Sequence, residues 1–176
     1  AGGGPMLGGA ALFSGFYLNE LLMKLLPRHD AHPALFDAYV GSLPSLASDN
    51  EWVGQAALRA YELLLLRETG VLPDLSMVTL TLRPLQDEAR YGVQPESGVV
   101  PVPEGGVPGA ALKALQQALG DGGVAALQAA CVPVLGPLRT ATRALLHYHL
   151  GTPTLRTRRV MQGVQRLLEP ANAKPA

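Results

Sequence analysis

The chain has little of several things that usually announce a function. It holds one cysteine, Cys131, in 176 residues. An intrachain disulfide is therefore impossible, and a reducing compartment fits. Aromatic residues make up 5% and charged residues 16%, against 48% hydrophobic residues and 32 leucines. That composition excludes a disordered tail. A domain of this length buries enough surface to fold without a disulfide or a metal. The glycine-rich opening AGGGPMLGG has no Lys-Ser/Thr after it, so it is not a phosphate-binding P-loop. Ser14 sits in LFSGF rather than in a G-x-S-x-G elbow. The first 19 residues carry no charge. They lack a basic start and are broken by glycines and Pro5, which argues against a signal or a membrane span. The uncharged stretch 122–138 is too short to cross a bilayer and contains Pro133 and Pro137. No membrane association is expected.

Acidic residues are missing from one region in particular. The formal charge sums to zero, 14 basic against 14 acidic. Residues 1–133 nevertheless hold 7 basic and 13 acidic side chains, and residues 134–176 hold 7 and 1. Between Asp121 and Glu169 there is no carboxylate side chain. Such asymmetry points to a surface for nucleic acid or an acidic partner.

The apolar spacing predicts a mainly α fold. Leu18, Leu21, Leu22, Leu25 and Leu26 form one stripe on a helix over 10–26, with Glu20 and Lys24 paired on the other side. Pro27 ends it. A second helix is predicted over 33–46. A third starts at Asp49 or Asn50 and runs to Thr69, with Gly70 as a left-handed cap. From 74 to 108 the pattern turns to β. Val78, Leu80 and Leu82 alternate with Thr79, Thr81 and Arg83. Tyr91, Val93, Val99, Val100 and Val102 lie among glycines and prolines. A small insert of two or three short strands is predicted there. Helices follow over 109–119, 122–131, 137–150 (capped by Gly151) and 155–168. The whole of 1–176 reads as a single domain.

Catalytic and metal constellations are missing too. His147 and His149 are two apart on a helix and diverge. His29 and His32 flank Asp30, but no second cluster has ligand spacing, and Cys131 stands alone. Neither an enzyme nor a cofactor is expected. The basic end is the stronger signal. Arg139 and Arg143 share a helix face at i, i+4. Arg156, Arg158, Arg159 and Arg166 follow. Thr152, Thr154 and Thr157 stand near a helix N-terminus, where backbone N–H groups favour an anion. These arginines suit phosphate; the alternative is a solvated face on a leucine-rich protein. Arg59 lies beside Leu58, Tyr61 and Leu63. At the rim of an apolar groove an arginine pairs with a ligand carboxylate. From the residues alone, a local pair with Glu62 at i+3 is favoured.

LFSGFYLNELLMKLLPRHDAHPALFDAY, LRAYELLLLRETGVLPDL and ALLHYHLGTPTLRTRRV together resemble the helical region of the bacterial DNA repair protein family RecO, in order along essentially the whole chain. The resemblance implies a cytoplasmic, nucleoid-associated recombination mediator and not an enzyme. Family members anneal strands and, with RecR, load RecA onto DNA coated with single-strand-binding protein (SSB). It implies that Arg59 holds the acidic, Phe-ended tail of SSB. It also implies that Arg156 and Arg158 meet DNA phosphates or a protein partner. Single- and double-stranded DNA are the expected nucleic-acid partners. Many members carry four zinc-binding cysteines in the insert; here there are none, so a zinc-free insert is expected, held by its strands and by Tyr91 and valine packing. Members begin with an OB-fold that nothing before residue 10 could form, so a fragment with reduced DNA affinity is expected. The competing reading is a helical protein–protein scaffold without direct DNA binding.

Overall fold

The computed structural model describes residues 9–26, 32–151 and 156–168. The side chains of Arg156, Arg158 and residues 165–168 lie outside the described set, as do His29, Asp30, Thr152 and Thr154. Helices α1 (Gly9–Leu25), α2 (Pro33–Leu46) and α3 (Glu51–Glu68) come first. Three short strands follow: β1 (Arg90–Gln94), β2 (Gly98–Pro101) and β3 (Val107–Pro108). Then come α4 (Gly109–Gln117), α5 (Gly123–Cys131), α6 (Leu135–Leu150) and α7 (Arg156–Leu168). The architecture is mainly α with a small antiparallel insert, as predicted.

Helix α3 forms the centre. Asn50 starts it, its side chain accepting from Trp52 N at 3.0 Å. Glu51 in the first turn and Arg67 in the last complement the helix dipole. Gly70, at φ 75°, turns the chain so that Val71 N and Leu72 N both donate to Leu66 O. Ala56, Ala57 and Ala60 let neighbours approach closely, and Tyr61, Leu63, Leu65 and Leu66 are wholly buried. Leu18 and Leu21 of α1 bury their stripe in the same core. Glu20, on the other side, pairs with Lys24 at 3.3 Å.

The run Gly109–Leu150 is helical almost throughout, and by length and composition alone it could cross a membrane. It is not straight. A π-turn (Ala118–Gly122) leads into Gly123 at φ 69°, and a 3-10 turn (Val132–Val134) carries Pro133. Leu112 and Leu115 before the first bend, Leu127 and Cys131 between the two, and Leu138 and Leu145 after the second all enter the core shared with α3. Cys131 is fully buried. Burial pushes its thiol up to about 12, with Arg59 opposing and Glu62 adding to the rise. A thiol held neutral in this way is inert.

The sheet order is β2–β1–β3, all antiparallel, with Tyr91 opposite Pro101, Gln94 opposite Gly98 and Arg90 opposite Pro108. Tyr91, Val93, Val99 and Val107 bury their side chains, and the Tyr91 hydroxyl accepts from Gln86 N at 3.0 Å. One reading was wrong. The alternation at Val78, Leu80 and Leu82 is not a strand. Leu82 N donates to Val78 O and Val78 N to Arg83 O, closing a tight loop with a single bridge between Met77 and Pro84. Leu80 and Leu82 are 77% and 71% exposed. A period of two makes a strand only when one face has something to cover it, and here neither leucine does. The loop is instead pinned to β2 through Thr79: Thr79 N donates to Val99 O at 3.0 Å, and Val99 N donates to Thr79 Oγ1 at 2.8 Å.

Candidate functional site

Three helices and the start of a fourth enclose a cavity of about 390 Å³. Helix α1 contributes Ala10, Phe13, Ser14 and Tyr17, one face at i, i+3, i+4 and i+7. Helix α3 contributes Gln55, Leu58 and Arg59. Helix α6 contributes Arg139, Arg143 and His147, spaced one turn apart, with Leu146 and Leu150 beside them. Helix α7 closes one end with Thr157, Met161 and Gln162. The walls therefore mix apolar side chains with polar ones, with cationic groups on two sides.

Arg59 is the floor. It is only 5% exposed. Its Nη2 donates to Glu62 Oε1 at 2.9 Å, and Glu62 is 0% exposed. The Tyr17 hydroxyl donates to that same oxygen at 2.6 Å. Burial, and then the neighbouring carboxylate, drive the Tyr17 pKa well above its ordinary value, so the phenol stays protonated and keeps donating. The pair is incomplete. Arg59 Nε and Nη1, and Glu62 Oε2, are buried without a hydrogen-bond partner among the described residues. An arginine left half-satisfied in a buried site is costly. A carboxylate reaching Arg59 through the cavity would relieve it by accepting from Nε or Nη1; the two-pronged edges of a guanidinium, Nε–Nη2 and Nη1–Nη2, both include the nitrogen that Glu62 holds.

The expected site residues divide. Arg59, Arg139 and Arg143 come together at this cavity. Arg139 and Arg143 are exposed at its wall. Arg159 is exposed on α7 and does not line it. The side chains of Arg156 and Arg158 lie outside the described residues. The expected Arg59–Glu62 pair forms, while leaving Nε and Nη1 buried without a hydrogen-bond partner among the described residues. Tyr61 and Leu63, grouped with Arg59 as a groove, are in the core instead; of those neighbours only Leu58 lines the cavity. The α7 N-terminus was expected to favour an anion, and it does so internally. Thr157 N and Oγ1 donate to Glu20 Oε2 at 2.9 and 2.7 Å. That carboxylate occupies the first turn of α7 and ties it to α1.

The chain matches the family model described as "Recombination protein O C terminal" over residues 8–159. The chain belongs to the RecO C-terminal family. Proteins called DNA repair protein RecO are similar along most of its length. That of Polaromonas sp. (strain JS666 / ATCC BAA-500) is 49% identical over 170 residues, covering 94% of this chain and 68% of its own. That of Variovorax paradoxus (strain S110) is 48% identical over 177 residues, 94% of this chain and 69% of its own. That of Verminephrobacter eiseniae (strain EF01-2) is 47% identical over 172 residues, 94% and 67%. In this RecO-family chain, sequence reasoning missed Tyr17, Phe13, His147 and Met161 as site residues. The spacing of Arg139, Arg143 and His147 held a signal that they share one face. Nothing in the sequence brought that face to α1.

Proposed function

We propose that this chain serves DNA repair and recombination as a binding module rather than an enzyme. Its cavity receives the acidic, Phe-ended tail of SSB. The relatives named DNA repair protein RecO support the first statement. The observation that carries the second is the buried Arg59 guanidinium at the floor of this cavity, with Nε and Nη1 lacking a hydrogen-bond partner among the described residues. In this reading the terminal carboxylate meets the Arg59 guanidinium, whose Nη2 it shares with Glu62. The terminal ring packs among Phe13, Leu58, Leu146 and Met161. The preceding acidic side chains face Arg139 and Arg143, which therefore join Arg59 in peptide recognition rather than serving DNA alone. Strand annealing and RecA loading with RecR follow from delivering the chain to SSB-coated DNA.

The test is a titration with a synthetic acidic peptide ending in Phe. Arg139→Ala with Arg143→Ala, both exposed and removable without disturbing the core, is expected to weaken binding by about tenfold at low salt and less at high salt. Unchanged affinity would refute their place in the site.

A protein-only scaffold is the second reading, and one observation favours it: Glu20 already fills the α7 N-terminus where a phosphate would sit. Direct DNA contact through Arg156, Arg158 and Arg159 is expected to be weak and salt-dependent. Changing Arg156 and Arg158 together should flatten the plot of log affinity against log salt by about 2. Absence of any saturable DNA binding at low salt would leave the scaffold reading.

A further inference from the structure

The acid–base pattern around Arg59 has a feature that a simple carboxylate receptor does not need. The receptor's own carboxylate, Glu62, already sits on the guanidinium. It is fully buried, it meets Arg59 at Nη2, and its Oε1 is shared with Tyr17 from another helix. Its second oxygen has no partner among the described residues.

We infer that Glu62 is an internal competitor for Arg59 that holds the peptide affinity below its maximum, and that Tyr17 is a positioning residue that draws Glu62 partly away. The inference rests on the peptide-binding reading above. Its physical basis is the shared oxygen. A guanidinium has one positive charge to distribute. The more of it Glu62 neutralises, the less attraction remains for a ligand carboxylate, and Glu62 sits on Nη2, the nitrogen that both two-pronged edges of the guanidinium include. The Tyr17 hydroxyl stabilises the Glu62 charge from the α1 side and so weakens its demand on Arg59. Without Glu62 the free site would hold an unpaired buried cation, which is costly. With it, the empty protein is stable and the ligand is held reversibly. A module that must hand its partner's DNA to another protein gains from such a limit.

Calorimetric titration of the full chain tests this, using the acidic Phe-ended peptide as the free acid and as the C-terminal amide. Glu62→Gln keeps the shape and an acceptor for both partners but removes the charge. It is expected to bind the free acid about tenfold more tightly, with the amide little changed. Tyr17→Phe is expected to weaken the free acid about fivefold, and to have no effect once Glu62 is Gln, because Tyr17 acts through Glu62. General structural damage would weaken acid and amide alike. If the wild type binds but Glu62→Gln leaves the free acid unchanged or weaker, the competitor role is overturned while the peptide site stands. If the wild type binds neither peptide, the site itself falls, and this inference falls with it. Should Glu62→Gln not fold, Tyr17→Phe decides alone: selective weakening of the free acid supports the inference, and equal or absent weakening overturns it.

Discussion

Arg59→Ala is expected to cost about 3–5 kcal/mol of folding stability, the range for stranding one member of a buried ion pair. The loss does not come from the Arg59–Glu62 attraction itself. It comes from leaving Glu62, which is fully buried, with its charge unmatched and only the Tyr17 hydroxyl to satisfy it. Urea denaturation reads this directly as a lower midpoint at an unchanged slope. The same reasoning gives the opposite sign for a paired change. Arg59→Met with Glu62→Leu removes both charges and fills the space, and should recover most of the stability, because a buried pair seldom outperforms well-packed apolar side chains. The double variant would therefore be stable and unable to hold a carboxylate. Equal destabilisation by the single and double changes would mean that the pair contributes by shape rather than by charge.

Gly98→Ala is expected to cost the protein about 2–5 kcal/mol through the β insert. Gly98 has φ 68°, a conformation that costs an L-residue about 1–2 kcal/mol. A side chain there would also run into Thr79, with the new carbon 2.7 Å from Thr79 Cβ, and overpacking of that kind adds about 1–3 kcal/mol. Thr79 carries both hydrogen bonds that fasten the 77–84 loop to β2. The insert has no cysteine to hold it, so loosening this contact should release the loop. Hydrogen exchange at the Val99 amide, bonded to Thr79 Oγ1, would report the release locally. Gly105→Ala provides the comparison. Gly105 also has a positive φ, 67°, but an added carbon meets nothing within 4 Å, so only the backbone cost of about 1–2 kcal/mol remains.

These two sites mark how far the sequence could be read. The helices were legible because their signals are local. Asn50, Gly70, Pro33 and Gly151 act within a turn of where they stand, and the Leu18–Leu26 stripe needs only the helix it lies on. The strands around Tyr91 and Val99 were legible because glycines and prolines bracket them. The alternation at 78–82 misled because period alone does not say whether a face is covered, and Leu80 and Leu82 lie over solvent. The site was legible one wall at a time. Arg59 stood out as a cation inside an apolar helix, and Arg139 and Arg143 stood out as neighbours on another. That they face one cavity is a property of how α1, α3 and α6 pack, and no spacing within one segment carries it. Tyr17 shows the same limit: its partner Glu62 is 45 positions away. The region of missing carboxylates also looks different once folded. Glu20, from the acidic part of the chain, reaches across to supply a carboxylate at the start of α7.

The most direct test of the cavity as a carboxylate receptor compares the acidic Phe-ended peptide as free acid and as C-terminal amide on the unmodified chain. Saturable binding of the free acid, weakened at least about tenfold by amidation and further by salt, is the expected result. Equal affinity for acid and amide, or no saturable binding of either, would contradict the role assigned to Arg59.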